Sequence, residues 1–129
     1  MIPHNRVVLA ETDKFAARRV LDSGWLNQGP EVAALERELE ETFRRSAVCV
    51  SSGTAALYLS LKALGIMANN EVVIPSHSCS ALFHAVRMAG GSAHICDVWE
   101  TPGLLRPCSH VPAAEPSVVI LPWTNGVFR

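Results

Sequence analysis

From Ala47 onward, short β-branched runs alternate with longer apolar runs of helical period that end in glycine: AVCVS, TAALYLSLKALG, EVVIP, SCSALFHAVRMAG and SAHICDV. A strand that is apolar without alternation suits burial on both faces, and the helical runs supply the cover. Strand, helix, strand, helix, strand in that order predicts an α/β fold: a parallel sheet with right-handed crossovers and helices on both faces. After Trp99 a loop with prolines at 102, 107, 112 and 116 leads to SVVILP, one more buried strand. A sheet that stops just past a strand leaves apolar surface and an edge uncovered, which predicts part of a larger domain.

The first 46 residues read as a helical segment. Thr12 or Asp13 is the expected N-cap of a helix that stops at Gly24, and GWLNQGP is a loop. Pro30 suits the first turn of a second helix. In that helix Val32, Leu35, Leu39 and Phe43 recur at steps of three and four, while Glu31, Glu36, Arg37, Glu38, Glu40 and Glu41 are expected to face water. Residues 47–129 then form the α/β portion.

Size and charge narrow the partners. A chain of 129 residues that is 49% apolar can bury a core of its own. Eleven basic and twelve acidic residues are scattered along it, which offers no basic stripe to nucleic acid and no polybasic segment to a membrane. With no charged leader and no long apolar span, a cytoplasmic location is expected. Three of Cys49, Cys79, Cys96 and Cys108 sit in apolar runs and no CxxC spacing occurs, so all four are read as reduced thiols. His77 with Cys79 and His94 with Cys96 have strand spacing for a shared face, but two such pairs do not make a metal centre, and no metal is expected.

The chemistry concentrates in VCVSSGTAALYLSL, where Ser52, Gly53 and Thr54 stand between an apolar strand and a helix. The first amides of a helix lack partners within it, and with the positive end of the dipole they bind anions. Glycine permits close backbone approach or a positive φ, and the hydroxyls add donors. An ordinary capped turn accounts for Ser-Ser-Gly-Thr equally well. Neither G-x-x-x-x-G-K-[ST] nor G-x-G-x-x-G occurs, so a single phosphate group fits better than a triphosphate or dinucleotide.

Three segments, SGWLNQGPEVAALERELEETF, AVCVSSGTAALYLSLKALGI and NNEVVIPSHSCSALFHAVRMAGGSAHICDV, in this order and spacing resemble the N-terminal part of the DegT/StrS-type sugar aminotransferases. The resemblance implies part of the large domain of a fold-type-I enzyme that uses pyridoxal phosphate. It also implies a homodimer that moves an amino group from a donor such as glutamate to a keto group on a nucleotide-linked sugar. Gly53 and Thr54, with Ser52 beside them, would then hold the cofactor phosphate. In the family's P-s-x-T-aromatic segment a flat ring stacks on the pyridine; here the text is PSHSC, so Ser78 takes the threonine place and Cys79 the aromatic one. Trp25 and Asn27 lie in a loop that the resemblance puts near the active site.

Transamination also needs a lysine bonded to the cofactor aldehyde and an acid at the pyridinium nitrogen. The resemblance puts both beyond Arg129. Lys14 and Lys62 are the lysines of this chain. Lys62 lies eight residues past Thr54, roughly 12 Å along a helix axis, and better complements that helix's C-terminal end. The chain alone is therefore expected not to transaminate, and an inactive remnant or interaction partner that retains the turn is the alternative.

Overall fold

A computed structural model describes residues 7–97 and 118–122. The chain divides into two compact units, Met1–Cys49 and Val50–Arg129. The proline-rich loop expected between Trp99 and Pro116 lies outside the described residues.

The first unit holds two helices, α1 (Glu11–Ser23) and α2 (Pro30–Phe43). The N-cap of α1 is Ala10, two residues before Thr12 and three before Asp13, the expected caps. Asp13 sits at its third position and accepts the Ala10 amide N–H at 2.8 Å, so Asp13 closes the N-terminus from inside the helix. Gly24, at φ 69°, ends it as expected. Pro30 opens α2, where its missing N–H costs no hydrogen bond. Neither helix buries a residue, and Phe15, Leu21 and Phe43 are exposed.

The carboxylates of α2 depart from the expected solvated face. Glu40 Oε1 accepts the Ala47 N–H at 3.2 Å and Glu36 Oε1 accepts the Cys49 N–H at 2.8 Å. Both glutamates are half-buried as a result. The spacings match: same-edge amides two residues apart on an extended chain are separated by about 6.6 Å, and i,i+4 positions on a helix by about 6 Å. Residues 47–51 accordingly do not form the predicted strand. Their amides find carboxylates in place of a ladder, and Val48 is 78% exposed.

The second unit contains α3 (Gly53–Ala63), β1 (Glu71–Pro75), α4 (Ala81–Ala89), β2 (Ser92–Cys96) and β3 (Val118–Val119). The sheet is parallel with order β2-β1-β3, so β1 already has a neighbour on each side. Val72, Ile74, Ala93, Val118 and Ile120 share one face and pack with Leu61 of α3, Ile66, and Leu82, Ala85, Val86 and Ala89 of α4. Val72 and Val86 are fully buried, each contributing roughly 1.5–3 kcal/mol. Val73 and Cys96, on the opposite face, are buried as well. Gly91 lets this core close, because a Cβ there would lie 2.8 Å from Ile66 Cγ2.

β3 is shorter than the predicted strand. Ile120 continues its pairing through one bond to the Val73 carbonyl at 2.9 Å, and Leu121 is exposed. The reduced-thiol reading needs one correction: Cys96 is in a disulfide, whereas Cys49 and Cys79 are free. An apolar run buries a half-cystine as readily as a thiol, so sequence context did not distinguish them.

Candidate functional site

α3 leads through a short turn into the start of β1, and α4 begins just after its end. Both helix N-termini therefore lie toward the C-terminal edge of the sheet, where open parallel sheets bind ligands.

Ser52 is the N-cap of α3, with extended backbone, and its Oγ accepts the Ala55 N–H at 3.1 Å. The Ser52 carbonyl accepts the Ala56 N–H at 3.0 Å. The amides of Gly53 and Thr54 have no partner among the described residues, nor does the Thr54 hydroxyl. Capping uses a lone pair of the Ser52 hydroxyl and leaves its proton available to donate. Gly53 keeps an ordinary φ, and nothing lies within 4 Å of where its Cβ would stand. The glycine thus serves close approach and not a left-handed turn. Up to four donors, the Gly53 and Thr54 amides and the Ser52 and Thr54 hydroxyls, gather at the positive end of an 11-residue helix, with open space beside Gly53. This donor set fits a phosphate group.

Cys79 is exposed and lines a cavity of about 430 Å³ together with Ser76, His77, Ser78, Leu82 and Pro122. The Ser78 hydroxyl donates to the Pro75 carbonyl at 3.0 Å and holds the chain in a bend after β1. Three successive residues, His77, Ser78 and Cys79, line the cavity at this bend, whereas an extended segment would turn Ser78 to the face opposite the other two. His77 and Pro122 were missed as lining residues; the serine-rich text after Pro75 was the available signal for the bend. Among the described residues no Phe, Tyr or Trp lines this cavity; its one aromatic ring is the His77 imidazole.

Lys14 pairs with Glu11 at 2.6 Å on the exposed surface of α1, in the other unit. Lys62 occupies the last turn of α3, at the end away from the Ser52 cap. Lys62 therefore does not stand at the turn.

Residues 8–115 match the model of the DegT/DnrJ/EryC1/StrS aminotransferase family. Among solved structures, Spr1654 from Streptococcus pneumoniae, described as a sugar aminotransferase and solved in PLP and PMP forms, superimposes with a TM-score of 0.69 at 29% identity. That match covers 76% of this chain and 25% of Spr1654. The aminotransferase TlmJ from Streptoalloteichus hindustanus is 36% identical over 70% of this chain and 26% of its own, with a TM-score of 0.62. DesV of S. venezuelae, solved with a ketimine intermediate, is 40% identical over 69% of this chain and 24% of its own, with a TM-score of 0.60. The chain spans about a quarter of the length of these structures. Pyridoxal phosphate is the cofactor of this family. A partial α/β domain with a parallel sheet, a helix-capping Ser-Gly-Thr turn and a match over residues 8–115 together establish that the chain belongs to the DegT/DnrJ/EryC1/StrS aminotransferase family.

Proposed function

We propose that this chain carries the cofactor-phosphate turn of a pyridoxal-phosphate-dependent aminotransferase that transfers an amino group from an amino acid such as glutamate to a keto group on a nucleotide-linked sugar. The observation that supports it most is the pair of unpartnered amides at Gly53 and Thr54, with open space beside Gly53. Residues 1–129 then form the N-terminal part of the cofactor-binding large domain, 1–46 as a helical segment and 47–129 as its α/β portion. The intact enzyme works in the cytoplasm as a homodimer. Among the described residues no helix is long and apolar enough to cross a membrane.

When bound, pyridoxal phosphate acts as an electron sink that stabilises negative charge on the carbon bearing the migrating amino group. This chain's residues bind and orient. The amides of Gly53 and Thr54 and the hydroxyls of Ser52 and Thr54 grip the phosphate, with the α3 dipole adding attraction. Cys79 would pack against one side of the ring, through a polarizable sulfur of smaller area than an aromatic ring. The lysine and the acid come from outside residues 1–129, so the chain alone does not transaminate. The thin wall at Cys79 also favours a second reading, an inactive relative that keeps the turn and pairs with another subunit.

Pyridoxamine phosphate tests the turn, because it lacks the aldehyde and cannot bond to Lys14 or Lys62. Isothermal titration of the chain should show it binding about tenfold or more tighter than unphosphorylated pyridoxamine, since the phosphate supplies charge-assisted bonds. Equal affinity for the two would remove the turn from the cofactor site. Binding without turnover, when the chain is added to an amino donor and a keto-sugar nucleotide, fits either reading; turnover by residues 1–129 alone would refute the placing of the lysine elsewhere.

A further inference from the structure

Cys96 is the last residue of β2 and one half of a disulfide, and it is 2% exposed. Among the described residues β2 borders the sheet and has β1 as its one neighbour. Strand ends at such a border are the first to open. The disulfide adds a covalent restraint where hydrogen bonding alone holds least.

The same residue carries the last rung between the two strands. Its carbonyl accepts the Ser76 N–H at 2.7 Å, one step past the register pair of Pro75 with Cys96. Ser76 opens the bend that lines the cavity of about 430 Å³, and the Ser78 hydroxyl closes that bend on the Pro75 carbonyl. The disulfide and these two hydrogen bonds thus stand behind the wall that holds His77 and Cys79.

Glutathione and thioredoxin-type dithiols keep most cytoplasmic thiols reduced, so a disulfide in the compartment proposed above is usually transient, catalytic or redox-sensing. Reduction at Cys96 leaves no buried polar defect, because a thiol packs as a small hydrophobe. The strand stays in place while its last rung loses the covalent restraint.

We propose that the Cys96 disulfide is a redox switch on the rim of the cavity beside Cys79. A dithiol donor supplies two electrons. One donor sulfur attacks the disulfide, the second closes the donor's own disulfide, and the donor's two protons pass to Cys96 and to the sulfur that was bonded to it. The oxidised form holds Ser76 against the end of β2; the reduced form lets them part. The effect on cofactor affinity rests on the reading of this cavity as the ring site, whereas the effect on Ser76 does not.

Alkylation of the unfolded chain with iodoacetamide, read by mass spectrometry, should block two of its four cysteines before treatment with a dithiol and all four after it. In the folded chain, reduction should speed amide exchange at Ser76 about threefold to tenfold, the scale of one backbone bond, and leave Val72 in β1 slow. Affinity for pyridoxamine phosphate should fall about twofold to fivefold, in step with the population of the formed rim. Cys96→Ala, and Cys96→Val in case the smaller side chain unfolds the core, should show the reduced-form exchange rate with or without the dithiol. Four alkylated cysteines before reduction, Ser76 exchange that ignores the dithiol, a Cys96 variant that still responds to it, or equal measurable affinity of the two redox forms each overturns the proposal. Pyridoxamine phosphate that binds neither form, while Ser76 still responds, would instead refute the ring-site reading and support the switch.

Discussion

Glu36 and Cys49 are thirteen residues apart, and the carboxylate of the first accepts the backbone N–H of the second at 2.8 Å. With Glu40 and Ala47 it forms a pair of bonds in which one turn of α2 takes the place of a neighbouring strand. An edge of extended backbone that carries exposed valines is a template for unwanted pairing. Two helix carboxylates occupy that edge.

Removing the acceptor exposes the consequence. Glu36→Ala should cost about 1.5 kcal/mol, the low end for a bond to a charged group because the site is half-buried, while Glu36→Gln should cost less. Amide exchange at Cys49 should accelerate in the alanine variant while exchange at Val72 in β1 stays slow. Unchanged exchange at Cys49 would show that the bond holds nothing.

At the turn, capping and anion binding are separable. Ser52→Ala removes the acceptor of the Ala55 N–H and should lower stability by about 1 kcal/mol in urea unfolding. Ser52→Asp keeps a capping oxygen, so stability should hold, but its charge faces the space in which a phosphate would sit. Affinity for pyridoxamine phosphate should then fall about tenfold or more. Parallel loss of both properties in both variants would mean that the serine caps and does nothing else.

What could be read from the sequence follows from how local each determinant is. β1 has its expected bounds and Gly24, Gly65 and Gly90 each adopt a positive φ near a helix end, because helix period and left-handed glycine are written in adjacent residues. Ser52 as a cap belongs to the same class. Residues 47–51 have a strand's composition, but a strand exists only with a partner, and β1 is already flanked by β2 and β3. The acidic face of α2 misled for the same reason: Glu36 and Glu40 meet amides that periodicity within one helix does not reveal. Pro122 reaches the cavity beside Cys79 through pairing of β3 with β1, across more than forty residues of chain.

The close fit at Gly91 predicts a core defect. Gly91→Ala puts a methyl 2.8 Å from Ile66 Cγ2 and 3.4 Å from Val86 Cγ1. Its φ is not in the left-handed region, so overpacking and not backbone strain sets the effect, about 1–3 kcal/mol. Because Ile66→Ala removes the opposing methyl, a double-mutant cycle should show the two costs to be less than additive by about 1 kcal/mol. Strict additivity would place the damage elsewhere.

Cys79 offers the most direct manipulation of the second cavity wall. A thiol presents a small surface, and no Phe, Tyr or Trp is among the described residues that line the cavity of about 430 Å³ beside it. Cys79→Phe introduces one on an exposed position, where it displaces no core residue. If the pyridine ring of the cofactor lies against this wall, stacking should tighten pyridoxamine phosphate binding about threefold to tenfold. Cys79→Ser, which removes the sulfur and adds no area, should weaken it slightly or leave it level. Calorimetric titration of both variants checks the order, phenylalanine tighter than cysteine and cysteine no weaker than serine. A phenylalanine variant that binds no better than the parent chain places the ring against some other surface, and the cavity beside Pro122 then has no part in holding the cofactor.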